Sequence, residues 1–217
     1  MRLGRAHPTL GPRGWAPGHE AEVDWDADSF AERGMRMWHQ IRAFGLEPAM
    51  RCVDYGCGSL RLGQHAIQYL EPGNYWGIDV SEAFIDEGIK LIGADLIREK
   101  CSRFGVINPF MLAEIGRWEP DFIFSNAVLQ HVPPNELGVF FERLAMMMGP
   151  HTRAYVLFIS ADRQLRVKAT NWAYPADDLI ASIARSGLIA TVGDVDPGVR
   201  RVDGRDRKVL EIRRPEA

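Results

Sequence analysis

Val53-Asp54-Tyr55-Gly56-Cys57-Gly58-Ser59-Leu60 carries most of what this chain says about itself. An apolar lead-in, Met50 to Val53, reads as a buried strand. An acidic residue follows at its end, and two glycines then turn the backbone into a helix. Glycine is needed there because only a residue without a Cβ lets the main chain approach a ligand closely at unrestricted φ. Further on, a second strand, Tyr75-Trp76-Gly77-Ile78, ends in Asp79. A carboxylate at that place accepts hydrogen bonds from a ribose diol. Together these features imply an α/β crevice that takes a nucleoside.

The spacing narrows the choice of nucleoside. A dinucleotide fingerprint needs a third glycine three residues after the second. Position 61 is Arg and the next glycine is Gly63, which disfavours NAD and FAD. A turn lacking that third glycine suits a ligand with a ribose and no phosphate. At this point the residues resemble the class I S-adenosylmethionine-dependent methyltransferases, over roughly Met50 to Leu188. The Gly-Cys-Gly-Ser-Leu-Arg run, followed by Tyr69-Leu70-Glu71-Pro72-Gly73-Asn74-Tyr75, looks like a small-molecule branch of that family. The resemblance implies a Rossmann-like, doubly wound α/β fold, with a mostly parallel seven-stranded sheet and an antiparallel last strand. It also implies S-adenosylmethionine as cofactor, with S-adenosylhomocysteine as product.

The chain has 217 residues, 46% of them apolar. That is long enough for one substantial core. Residues 1–27 are rich in Gly and Pro without periodicity and are expected to form a flexible arm, with 28–217 as one domain. A net charge of −3 argues against a general nucleic-acid binder. No apolar run approaches the ~20 residues that cross a bilayer. Arg2 and Arg5 are not followed by an apolar stretch, which argues against a secretory signal. Cys52, Cys57 and Cys101 lack metal-ligand spacing and fit a reducing cytoplasm. The carboxylates show no grouping that demands a metal. The oligomeric state stays open, a homodimer being one option.

Ser29 and Glu32 form a capping-box signature for a helix carrying Met37, Trp38, Ile41 and Phe44 and ending near Gly45. Strands and helices then alternate, as in a parallel doubly wound sheet. Strands are predicted at 50–55, 75–79, 104–107, 122–124 and 154–159. Helices are predicted over 62–70, from Ser81 along Ile85, Ile89, Ile92 and Leu96, after Pro134, and over 175–186. Ile189 to Val192 and Lys208 to Ile212 are predicted as two final strands, antiparallel through a hairpin loop at Asp196 to Asp206. The segment from Ser160 to Pro175 reads as a polar loop with Trp172 and Tyr174 at the ligand end of the sheet, suited to an acceptor wall.

Among residues that carry chemistry, Asp79 is the expected ribose ligand by its pairing with the glycine turn, a charge-assisted contact that also repels phosphorylated nucleotides; its other reading is a carboxylate capping the helix at Ser81. The resemblance extends cofactor contacts to Asp54, Gly56, Cys57, Gly58, Val80, Asn108 and Asn126. It places Asp54 near the methionine end. The Asn108 side-chain oxygen can accept from an adenine amine, where the family often has an acid. Asn108 also reads as a turn residue before Pro109. His131, in Leu129-Gln130-His131-Val132-Pro133-Pro134, is the candidate general base, because imidazole titrates near working pH. Its other reading is structural, pinning the loop before the two prolines. His131, Trp172 and Tyr174 are the expected acceptor contacts. The leading expectation is transfer of a methyl group to a hydroxyl oxygen of a small molecule. The alternatives are methylation of RNA or protein, for which Arg200, Arg201, Arg205, Arg207, Arg213 and Arg214 are the hints, and a non-catalytic cofactor-binding subunit.

Overall fold

A computed structural model describes residues 27–167, 171–195 and 204–216. The expected N-terminal arm lies outside them except for Ala27, and most of the expected 196–206 hairpin loop lies outside as well. The described residues fall into two compact units divided between Ile107 and Asn108.

The first unit contains α1 (Ala27–Ala43), β1 (Cys52–Tyr55), α2 (Gly63–Tyr69), β2 (Tyr75–Asp79), α3 (Glu82–Ile92), α4 (Ala94–Glu99) and β3 (Arg103–Val106). Every residue of β1 and β2 is buried, as strands covered on both faces require. β1 pairs in parallel with β2, Cys52 against Tyr75, and β2 in parallel with β3, Trp76 against Arg103. Ser81 caps α3 as expected, its hydroxyl accepting from the amide of Phe84 at 3.4 Å. The run Ile85, Ile89, Ile92, Leu96 does not form one helix. Gly93 adopts φ +89° and divides it into α3 and α4.

α1 lies against α2 at close range, and Gly34 is the reason it can. A Cβ there would stand 2.2 Å from the Arg61 carbonyl oxygen and 2.9 Å from His65 Nε2. Trp38 then meets Tyr69 edge-on at 5.3 Å, and the Arg42 guanidinium lies 4.6 Å from the centre of the same ring. Because the obstructing atom is backbone, a methyl group at position 34 displaces one of the two elements. Gly34→Ala is therefore expected to lower stability by about 1–3 kcal/mol. A urea midpoint unchanged from wild type would show that α1 does not dock at this distance.

The second unit contains α5 (Pro109–Trp118), β4 (Phe122–Ser125), one-turn 3-10 helices at Leu129–His131 and Pro134–Glu136, α6 (Leu137–Met147) and β5 (Arg153–Ile159). A ribbon of β6 (Leu165–Val167) and β7 (Asn171–Ala173), then α7 (Ala176–Arg185), β8 (Ile189–Asp194) and β9 (Arg207–Arg213), complete it. The sheet order is β3-β2-β1-β4-β5-β9-β8. β4 and β5 are parallel, whereas β9 is antiparallel to both β5 and β8. The expected seven-stranded sheet with its antiparallel ending is therefore present. α5 was not expected, and the loop from Ser160 to Pro175 contains the ribbon, whose strands pair antiparallel from Leu165 against Ala173. The core of this unit includes Phe122 stacked on Tyr155 at 4.9 Å and the wholly buried Phe141, Leu144, Ile183 and Leu210. Arg214 secures the end of α6, donating to the carbonyls of Met148 at 2.8 Å and Ala145 at 2.9 Å, the latter also accepting from the Met148 amide at 3.3 Å.

Candidate active site

In the first unit, the turn after β1 is bound to the end of β2 through three consecutive amides. Gly56 and Cys57 donate to the Ile78 carbonyl at 2.8 and 3.0 Å. Gly58 donates to Asp79 Oδ2 at 2.9 Å. Gly56 and Gly58 take φ of +87° and +53°, a region that residues with a Cβ rarely occupy. Nothing lies within 4 Å of where a Gly58 Cβ would be, so the space beside Gly58 is open. A positive φ recurs at Leu60, +61°, whose wholly buried side chain anchors the turn to the core.

Asp79 is 8% exposed. Its other oxygen, Oδ1, accepts from the Ser81 amide at 2.9 Å. Burial raises its pKa, and the amide hydrogen bonds from Ser81, Gly58 and Val80 oppose that shift. Two carboxylate oxygens offer about four lone-pair sites. With the Gly58, Ser81 and Val80 amides directed at it, acceptor capacity for a ribose hydroxyl remains. These residues therefore fit a ribose. Val80, next in sequence, is among the exposed apolar side chains at 39%.

Asp54 is buried, and Tyr75 donates its hydroxyl to Asp54 Oδ2 at 3.0 Å. Burial pushes the Asp54 carboxyl up to about 8; the Tyr75 hydrogen bond opposes this, and the nearby Asp79 charge adds to it. Burial likewise raises the Cys57 thiol, with Asp54 and Asp79 adding to the shift. That thiol is consequently a compact packing group and a poor nucleophile. Two glycines make room for Tyr75. A Cβ on Gly63 would stand 2.4 Å from its hydroxyl, and one on Gly77 would stand 3.0 Å from it. The sequence reading took Tyr75 as a strand residue only. The available signal was a polar-tipped aromatic opening a fully buried strand, whose hydroxyl must find a partner.

In the second unit, Asn108 is exposed and caps α5, its Oδ1 accepting from the Met111 amide at 3.0 Å. Asn126 follows β4, and its Oδ1 is a buried atom without a hydrogen-bond partner among the described residues. The next residue, Ala127, has φ +61°. An unsatisfied acceptor beside a strained backbone is a pattern found at ligand sites. His131 is exposed at the end of its one-turn helix, and its Nε2 lies 3.2 Å from Gln130 Nε2. The imidazole and the Gln130 amide are thus within hydrogen-bonding distance, with the donor set by the ring's tautomer. Trp172 is half-buried on β7. Tyr174, expected on the acceptor wall, is wholly buried, and its hydroxyl donates to the Val132 carbonyl.

The model of a family described as a methyltransferase domain matches residues 27–188. The chain belongs to that family. A comparison with curated proteins finds no match. Among solved structures, magnesium protoporphyrin IX methyltransferase from Synechocystis with bound S-adenosylhomocysteine is similar, with 17% identity over 94% of this chain and 92% of that one, at a TM-score of 0.64. A TehB-like methyltransferase from Corynebacterium glutamicum has 17% identity over 87% of this chain and 98% of its own, at 0.59. The [4+2]-cyclase SpnF has 13% identity over 93% and 87%, at 0.60. At these identities the likeness is one of fold.

Within this methyltransferase the expected residues group unit by unit. Asp54, Gly56, Cys57, Gly58 and Asp79 converge on the end of β2, while His131 and Tyr174 meet through Val132. Among the described residues, no group of three or more His, Cys, Asp or Glu side chains is placed to hold a metal. No described helix is long and apolar enough to cross a membrane.

Proposed function

We propose that this methyltransferase uses S-adenosylmethionine to methylate a small-molecule acceptor, at a hydroxyl oxygen. Bound, the cofactor supplies an electrophilic methyl group on a sulfonium. The observation that carries the reading is Asp79, a buried carboxylate held by the Gly58 and Ser81 amides with acceptor capacity left for a ribose hydroxyl. Gly56, Cys57 and Gly58 form the cofactor turn, Val80 supplies an apolar contact, and Asp54 serves the methionine end. Asn126 Oδ1 accepts a donor from the cofactor, and Asn108 faces the adenine amine with the second lone pair of its oxygen.

His131 is the acceptor-side group. Once the hydroxyl displaces Gln130, Nε2 takes its proton as the oxygen becomes the nucleophile. Orientation contributes more than this proton transfer, since holding reactants in attacking geometry supplies roughly 7–11 kcal/mol of a barrier. Trp172 contributes an aromatic acceptor wall. Residues 28–217 work as one cytoplasmic methyltransferase domain.

Calorimetry with S-adenosylmethionine and S-adenosylhomocysteine tests the cofactor half, and labelled-methyl transfer to a panel of small hydroxyl compounds tests the acceptor half. We expect micromolar or tighter binding of both cofactor forms and turnover with one chemical class. His131→Gln is expected to lower kcat while leaving cofactor affinity within about twofold. A well-folded protein that binds neither cofactor form overturns the whole reading. Binding without turnover on any acceptor favours a non-catalytic cofactor-binding role.

A further inference from the structure

Tyr174 joins two parts of the second unit. Its amide donates to the Ile159 carbonyl at 3.0 Å, and its own carbonyl accepts from the Ala161 amide at 3.1 Å, which fixes it beside the end of β5. It directly follows β7, and the ribbon is packed against β5 through Ile159, Val167 and Ala173, with Ala161 and Leu165 around them. Its hydroxyl reaches the carbonyl of Val132, the residue after His131. The short helix bearing His131 is closed by two bonds, from the His131 amide to Val128 at 2.8 Å and from the Val132 amide to Leu129 at 3.1 Å. Pro133 and Pro134 follow and have no amide proton with which to extend it. Leu129 and Gln130 are buried, whereas His131 is exposed.

We propose that Tyr174 is a positioning residue for His131. By holding the Val132 carbonyl, its hydroxyl ties the imidazole-bearing turn to the β6–β7 ribbon, and the two keep one geometry. The functional part of this inference rests on His131 being the acceptor-side group. A buried tyrosine needs a partner for its hydroxyl wherever it sits. Here the partner is the carbonyl next to an exposed imidazole, on a one-turn segment. Burial raises the phenol pKa, so the group stays a donor at working pH. A displacement of about 1 Å at such a turn can cost on the order of a hundredfold in rate.

The test reads His131 itself. Histidine labelled with nitrogen-15 reports the tautomer of each ring by NMR, with His131→Gln assigning the signal. Tyr174→Phe removes only the hydroxyl. It is expected to shift the His131 tautomer balance away from that of wild type, and to speed hydrogen exchange at the His131 and Val132 amides at least tenfold. Thr152→Val is the control. It removes another buried hydroxyl-to-carbonyl bond of the same unit, from Thr152 to Pro120 at 2.6 Å, and is expected to leave both readouts within about twofold of wild type. The proposal falls if Tyr174→Phe leaves the His131 signals unmoved, or if Thr152→Val moves them equally. Should Tyr174→Phe fail to fold, native-state exchange of the wild type decides. The His131 and Tyr174 amides are expected to open together in mild denaturant, and a His131 amide that opens well before Tyr174 overturns the coupling. Neither readout uses donor or acceptor, so failure here leaves the methyl-transfer reading standing. An inert protein with the brace intact would sink that reading alone.

Discussion

Asp79→Ala is expected to weaken S-adenosylhomocysteine binding at least tenfold, or about 1.4 kcal/mol, by calorimetry. Two losses combine. The ribose loses a charged acceptor, and hydrogen bonds to charged groups contribute about 1.5–3 kcal/mol each. The glycine turn also loses its fastening, because the Gly58 amide bonds to Asp79 Oδ2 and the Ser81 amide to Oδ1. Asp79→Asn retains one oxygen and is expected to fall between wild type and the alanine variant. A ligand lacking one ribose hydroxyl separates the two losses. The 2′-deoxy analogue is expected to bind wild type more weakly than the parent does, whereas on Asp79→Ala the two are expected to bind alike. Affinity within twofold of wild type in the alanine variant would remove the ribose clamp from the site.

The alternation that exposed this fold survives in the structure because it reflects burial on both faces of the strands. β2 runs over Tyr75–Asp79 as the apolar run implies. Asp54, inside β1, and Asp79, the last residue of β2, were legible because an acid in a buried strand is chemically out of place unless something uses it. Other features were hidden for identifiable reasons. Ile92 and Leu96 continue the helical period of Ile85 and Ile89, so the pattern ran through Gly93, although glycine was the punctuating residue. α5 escaped because Asn108-Pro109 reads equally as a turn. An asparagine cap followed by proline at the first helical position is also how many helices begin. β6 and β7 have three residues each, too few to show alternation. The hydroxyl of buried Tyr174 is satisfied by the Val132 carbonyl, distant in sequence, and no local pattern encodes such a contact.

Asp54→Asn is expected to make the ligand-free protein more stable than wild type at about pH 8 and to flatten its pH dependence. The folded Asp54 carboxyl is raised from 3.8 to about 8, first by burial, with the Tyr75 hydroxyl opposing and the Asp79 charge adding. The folded state therefore binds a proton that the unfolded chain releases above 3.8. Its contribution to stability is fully present below that unfolded value and is lost as pH rises through about 8. A displacement of about four units corresponds to a change on the order of 5 kcal/mol across that window. Asp79 is raised in the same direction and keeps part of the slope in the variant. Urea midpoints from about pH 5 to about pH 8 supply the comparison. Parallel curves for the two proteins would mean that Asp54 is already ionised in the fold. If Asp54 serves the cofactor's methionine end as proposed, a cationic ligand beside it draws off that proton. Cofactor binding by wild type at about pH 7 is accordingly expected to release a proton, detected as a dependence of the calorimetric heat on the ionisation enthalpy of the buffer. Asp54→Asn is expected to bind without that dependence.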